Sequence, residues 1–419
     1  MQRFVISGGN ELNGDITLQG AKNSALPILS ASVLVRGSSV LSNCPDLTDI
    51  YAAARILTHL GCKVHRTGQN TVIVDNPGVS LTYIPDKLMR EMRSSITFLG
   101  PVLGECSECR LCLPGGCQLG PRPIDIHLDA LRQMGVTVCE DHGGIYCKAE
   151  EGVKGAKIVL PFPSVGATEN IIMAAVKADG DTEIKNAARE PEIVDLASYL
   201  NKCGAKIHGA GESTISISGV KTLNSCEYSV MPDRIAAATY MSAALITGGK
   251  LRITGTDGLD IESFAVFFGQ MGCSVYVYDN SIYVKAKKRI NAIKSIKTLP
   301  YPGFPTDMQA IVMAPLSIAD GTSIIEENIF ESRYKHVDAL NRMGADIKVY
   351  GKVAVVHGVN TLYGADIEAT DLRGGAAMVI AALAAEGTTE ISEVQHIDRG
   401  YESFDKFLHA AGADIVRKS

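Results

Sequence analysis

Cys117 lies in the segment Leu113-Pro-Gly-Gly-Cys-Gln-Leu-Gly-Pro-Arg-Pro123, which carries three glycines and three prolines. Such a stretch builds neither helix nor strand. Gly115 and Gly116 leave backbone amides free to face an anion, and Arg122 follows the thiol in the same segment. Oriented amides and a fixed cation favour a thiolate with an anion beside it. Two readings are open on these residues alone: a reactive thiol at an anion site, or a Gly/Pro surface loop with an incidental cysteine.

Two rival chemistries can be tested on spacing. The cysteine phosphatase pattern needs one more residue between Cys117 and Arg122, and a His where Gly116 stands. A metal cluster would use Cys106, Cys109, Cys112 and Cys117, which partly resembles ferredoxin-type ligation. However, "CRLCL" alternates like a strand, which sends Cys109 and Cys112 to opposite faces. No metal is expected.

The elements that must position this loop are repeated. The pattern of helix end, Gly, then strand recurs six times, at Gly61, Gly135, Gly204, Gly272, Gly344 and Gly412, at intervals of about 70 residues. A left-handed residue at a helix end explains the glycine. A second glycine precedes each, at Gly37, Gly104, Gly180, Gly249, Gly321 and Gly387, closing a small-residue apolar run ahead of a β-type run. The step from Gly104 to Gly135 is longer than the others, and the surplus falls in the segment that holds Cys117. Five repeats do without this loop, so the fold does not need it, and loops on a rigid scaffold are where function concentrates. Each repeat reads as helix, strand, helix, strand and further short strands. Runs such as "AAMVIAALAA" are apolar on every side and predict buried helices. The expected class is α/β, with six copies of a βαβαββ-type unit, three per domain, and a midpoint near 223–234.

The 419 residues suffice for two large cores, and a net charge of −6 suggests no nucleic-acid partner. The apolar run Ala376 to Ala385 falls short of the roughly 20 residues of a spanning helix. The N-terminus shows no secretion signal, so a cytoplasmic location with reduced thiols is expected for the 11 cysteines. Cys44, Cys62, Cys203 and Cys273 sit among apolar neighbours and read as small core residues.

With "LPGGCQLGPRPIDIHLDALRQMG", the motifs "LQGAKNSALPIL", "FPSVGATENI", "NAAREPEIVDLASYL", "PGFPTDMQA", "ENIFESRY", "ATDLRGGAAM" and "HIDRGYESF" closely resemble the UDP-N-acetylglucosamine 1-carboxyvinyltransferase family from end to end. The resemblance implies a two-domain inside-out α/β barrel, helices inside and sheets outside, with the active site in the cleft between domains. It places the domains at 22–229 and at 1–21 plus 230–419. The implied reaction moves the enolpyruvyl group of phosphoenolpyruvate to the 3′-hydroxyl of UDP-N-acetylglucosamine, releases phosphate and uses no cofactor.

That chemistry needs cations for a phosphate, a carboxylate and a diphosphate, plus an acid and a base. By resemblance, Cys117 is the acid and Asp307 the base, with Lys22 and Arg399 also catalytic. Lys22, Asn23, Arg122, Arg333, Arg373 and Arg399 would bind phosphoenolpyruvate. Arg93, Arg122, Pro123, Ile124, Asp125, Ile126, Ser164, Val165, Gly166, Asp307 and Ile329 would bind the UDP-sugar. Plainer roles compete for the same residues. Lys22 could be a solvated turn residue, Asp307 a helix N-cap, and Arg373 and Arg399 members of surface pairs with Asp371 and Asp398. Ser164 to Gly166, and Glu190 with Glu192, could simply start helices. Phe162 stands where some family members carry Lys, which would remove one cation from the nucleotide side. Two alternatives use the same scaffold: transfer to shikimate 3-phosphate, which the loop cysteine disfavours, and a non-catalytic UDP-sugar-binding regulator.

Overall fold

Helices with no polar face have to be enclosed, and three such helices form the centre of each of two compact units. The computed structural model describes residues 2–112, 124–141, 144–257, 259 and 261–419. Among these, one unit is contiguous, within 20–231, and the other is split, joining residues up to Gln19 to Pro232–Ser419. Each encloses its own hydrophobic core.

In the split unit, Arg234–Thr247, Thr306–Leu316 and Leu372–Ala384 pack on one another and are buried along almost their whole length. In the contiguous unit the matching helices are Lys22–Ala31, Leu99–Cys106 and Val165–Ala175. The turn of 3-10 helix Arg93–Phe98 packs against the first and third of these. Close packing requires glycine at one crossing. A Cβ on Gly100 would sit 2.3 Å from the carbonyl oxygen of Asn170.

The sheets lie outside the helices and repeat one connectivity. Lys157–Val159 runs parallel to Asp181–Lys185, which pairs antiparallel with Thr214–Ser218, and that strand pairs with Lys206–His208. The register aligns Ile158, Ile184 and Ile215, all buried, so one face of the sheet turns inward. The same order recurs in the sheet built on Glu108–Cys112 and in the one built on Thr322–Glu326. Other sheets are completed from far along the chain. Leu223–Asn224 and Glu227–Ser229 close the sheet of Val35–Ser42. In the split unit, Arg3–Ser7 inserts between Thr388–Ser392 and Asp414–Lys418, while Asn13–Thr17 adds to Lys250–Thr254.

All six glycines of the first set adopt positive φ, between 80° at Gly135 and 106° at Gly204, as the helix-end reading requires. The second set is less uniform. Gly104 lies inside Leu99–Cys106, where Ser107 takes the left-handed position, and Gly248 takes it one residue before Gly249. Cys44, Cys62, Cys203 and Cys273 are buried as expected. The strand Glu108–Cys112 buries Cys109 and leaves Cys112 partly open, so these two thiols do not converge. No helix among the described residues is long and apolar enough to cross a membrane.

The Gly100 crossing gives a direct test of helix packing. Gly100→Ala should lower unfolding stability by about 3 kcal/mol through overpacking, read from the shift of the urea midpoint at constant slope.

Candidate active site

Three helix N-termini gather in the split unit, and their polar residues interlock. Asp233 caps Arg234–Thr247 by accepting from the amides of Ile235 and Ala236. Asp371 caps Leu372–Ala384 in the same way through Arg373 and Gly374. Asp307 behaves differently. The helix Thr306–Leu316 has Pro305 at its N-cap and no side-chain cap, so the N-cap reading of Asp307 fails. Its carboxylate instead accepts from Arg333 Nη2 at 2.8 Å and from Arg373 Nη2 at 3.0 Å. Arg373 Nη1 donates to Tyr401 Oη at 3.0 Å, and Tyr401 meets Thr239 Oγ1 at 2.9 Å. Thr239 is in the second turn of Arg234–Thr247, so one chain of contacts joins all three helices.

Burial decides between the readings of the arginines. Arg333 and Arg373 are each 3% exposed, so neither is a surface charge. Asp307 keeps 27% of its side chain exposed, so this end of the cluster is not sealed from solvent. Arg399 is half-buried in the turn after Val394–His396, two residues before Tyr401. Its neighbour Asp398 receives two hydrogen bonds from Arg417.

Glu327 carries no role in the motif reading, yet it organises this end of the unit. It is 1% exposed, and its Oε1 accepts from Thr298 Oγ1 at 2.9 Å and from the amides of Ile329 and Phe330 at 2.8 and 3.1 Å. Its Oε2 accepts from Thr306 Oγ1 at 3.0 Å. The Thr306 carbonyl accepts from Arg333 in turn. Ile329 is therefore held by the same carboxylate that ties down the start of the Asp307 helix.

In the contiguous unit, Lys22 opens the helix Lys22–Ala31 and its ammonium lies 3.1 Å from Asp49 Oδ2, with side chains only 11% and 3% exposed. A solvated turn lysine is thus excluded. Asn23 beside it is exposed. A second group gathers around Asn170. Its Oδ1 accepts from the Gly100 amide at 2.6 Å, which orients its Nδ2 toward the Ile96 carbonyl and His127 Nδ1. An amide nitrogen can only donate, so Nδ1 accepts and the proton of His127 sits on Nε2. Burial pushes the pKa of His127 down to about 4, keeping the ring neutral. Gly166 packs against this ring, where a Cβ would meet Cε1 at 3.1 Å.

The structure thereby brings together the starts of three elements that hold expected nucleotide contacts. Arg93 opens Arg93–Phe98; Ile124 is the N-cap of Asp125–Gln133, with Ile126 in its first turn; and Ser164 caps Val165–Ala175 by accepting from Ala167. The helix-start reading of Ser164 to Gly166 holds, and helix N-termini suit phosphate. Phe162, just before, is exposed. Glu190 is the N-cap of Pro191–Lys202 and Glu192 lies in its first turn. Both do start a helix, but they also face Glu169, whose carboxyl is pushed well above the usual range by burial and by these two like charges. Motif reading missed Glu169, His127, Asp49 and Glu327. Cys117, Arg122 and Pro123 lie outside the described residues.

Among the described residues, each unit sets small sheets around buried helices, and in the split unit two acid-capped N-termini lie beside paired arginines. Residues 6–408 match the family profile of EPSP synthase (3-phosphoshikimate 1-carboxyvinyltransferase), and the chain belongs to this family. It is 50% identical over the full length of both chains to UDP-N-acetylglucosamine 1-carboxyvinyltransferase 2 of Caldanaerobacter subterraneus. It is 46% identical, again over both full lengths, to UDP-N-acetylglucosamine 1-carboxyvinyltransferase of Trichlorobacter lovleyi. Among solved structures, the enolpyruvyl transferase NikO from Streptomyces tendae superposes with a TM-score of 0.88 at 24% identity, covering 100% of this chain and 99% of that one. EPSP synthase from Acinetobacter baumannii gives 0.75 at 18%, over 100% of both.

The role of Glu327 can be measured directly. Glu327→Ala strands one buried and three part-buried donors and should cost about 3 kcal/mol of stability, whereas Glu327→Gln keeps most acceptors and should cost about 1. Equilibrium denaturation of the two variants separates these outcomes.

Proposed function

We propose that this chain transfers the enolpyruvyl group of phosphoenolpyruvate to the 3′-hydroxyl of UDP-N-acetylglucosamine, the first committed step of peptidoglycan synthesis, in the cytoplasm. The observation that carries the reading is end-to-end identity of 45–50% with curated relatives of that name. The sister reaction on shikimate 3-phosphate is disfavoured, because solved EPSP synthases share only 18–19% of residues.

The chemistry is addition followed by elimination. The sugar O3′ bonds to C2 of phosphoenolpyruvate while C3 gains a proton. Loss of a proton from C3 and cleavage of the C2–O bond then release phosphate and restore the double bond as an enol ether. In this reading Cys117 supplies the proton to C3 and Asp307 takes the hydroxyl proton. The partial exposure of Asp307, on a carboxylate whose orientation is fixed by Arg333 and Arg373, supports that role. Arg333 and Arg373 are buried cations suited to a planar carboxylate, while Lys22, Asn23, Arg122 and Arg399 complete the phosphoenolpyruvate contacts. Arg93, the 122–126 segment, Ser164, Val165, Gly166 and Ile329 hold the UDP-sugar. Neutral His127 fits beside that group as a packing and hydrogen-bonding residue.

Phosphate release should require phosphoenolpyruvate and UDP-N-acetylglucosamine together. Release with shikimate 3-phosphate as acceptor instead would move the chain to the sister activity. The thiol assignment has a separate check. Burial pushes Cys62 to about 11 and Cys147 and Cys273 to about 12, which leaves them poor nucleophiles. An epoxide phosphonate such as fosfomycin should therefore alkylate Cys117 first, as read by peptide mass spectrometry. Modification of exposed Cys139 with Cys117 intact would remove Cys117 from the mechanism.

A further inference from the structure

The helix Lys22–Ala31 lacks the usual devices that hold a helix start. Its N-cap is Ala21, without a side-chain hydrogen bond, and its first turn has no acid. The anchor comes from elsewhere in the contiguous unit. Ser24 Oγ donates to Asp195 Oδ2, and Asp195 belongs to the helix Pro191–Lys202. The same carboxylate accepts from Tyr228 Oη at 2.6 Å and from the Met231 amide at 3.1 Å. The Met231 carbonyl accepts from the Ala21 amide at 2.8 Å, and the Ser24 amide donates to the Ala21 carbonyl at 3.1 Å.

These bonds close a ring that runs from Asp195 to Ser24, back to Ala21, across to Met231 and home to Asp195. Lys22 and Asn23 are the two residues of the ring between Ala21 and Ser24. Burial raises the Asp195 carboxyl, and Glu192 adds to this, while the bonds from Ser24, Tyr228 and Met231 oppose it. The carboxylate is thus held in a poorly solvated place by the partners it organises. Asp49 fixes the far end of the Lys22 side chain; Asp195 fixes the backbone from which that side chain starts.

We propose that Asp195 is a positioning residue for phosphoenolpyruvate, acting through Ser24 and Met231 on the direction in which Lys22 and Asn23 project. The inference rests on the enolpyruvyl-transfer reading above. A point charge on a flexible stem is useful only if its base is fixed, because small misplacements of a binding group cost rate.

The test compares Asp195→Ala, Asp195→Asn and Ser24→Ala with the wild type for the KM of each substrate. The KM for phosphoenolpyruvate should rise about tenfold in Asp195→Ala and about threefold in the other two, with the KM for UDP-N-acetylglucosamine within about twofold. The double variant Ser24→Ala/Asp195→Ala should be no worse than Asp195→Ala, since both remove the same bond. A merely structural role would instead move both KM values together, or neither, and either result overturns the proposal. If Asp195→Ala does not fold, Asp195→Asn and Ser24→Ala must show the same split. A wild-type chain that releases no phosphate from the substrate pair overturns the reaction and this inference with it. An active wild type with unsplit variants overturns the inference alone.

Discussion

Helices apolar on every side set the terms for everything else in this protein. Leu372–Ala384 buries every residue from Arg373 to Leu383, and Arg234–Thr247 is buried through Ile246. No solvent-facing stripe is available, so the sheets must surround the helices, with one face of each sheet turned inward. Along their length such helices carry few polar side chains, and those present, such as Asn170 and Thr239, are spent on internal hydrogen bonds. Their ends differ. The first amides of a helix are unsatisfied and carry the positive end of its dipole, and three of these ends meet in the split unit. In both units the polar residues of these helices cluster toward the ends, because most of each helix is committed to packing.

Arg333 and Arg373 share one carboxylate, Asp307, so two cations face one anion in a largely desolvated setting. Two unit charges about 4 Å apart interact by roughly 4 kcal/mol near a protein surface. Asp307 therefore offsets much of the repulsion between the two guanidiniums. Asp307 is best understood as a residue with two employers: it steadies the arginines in the free protein and is proposed to accept a proton in the reaction.

Much of the framework was legible in the residues. The six helix-end glycines were readable because left-handed φ excludes most other residue types, and all six adopt it. The buried helices were readable because an all-apolar run has one stable fate. Individual polar residues were less transparent. Asp after Thr at a helix start has the same local pattern whether it caps or reaches elsewhere, and only Arg333 and Arg373, brought in from distant repeats, decide the matter for Asp307. Lys22 read equally well as a solvated residue until Asp49 closed over it. Glu327, Glu169 and His127 were invisible for the same reason: their meaning lies in partners supplied by other segments, and a single chain records no pairing.

The strand Arg3–Ser7 is made long before both of its neighbours, and it occupies an interior position between Thr388–Ser392 and Asp414–Lys418. The contiguous unit has all its strands once residue 231 has left the ribosome, and it can fold while synthesis continues. The split unit cannot. Its segment Arg3–Ser7 must wait, unpaired, until Thr388–Ser392 and Asp414–Lys418 emerge, so this unit closes only after the contiguous one is complete. Keeping that early strand short, at five residues, limits the sticky edge exposed during the wait.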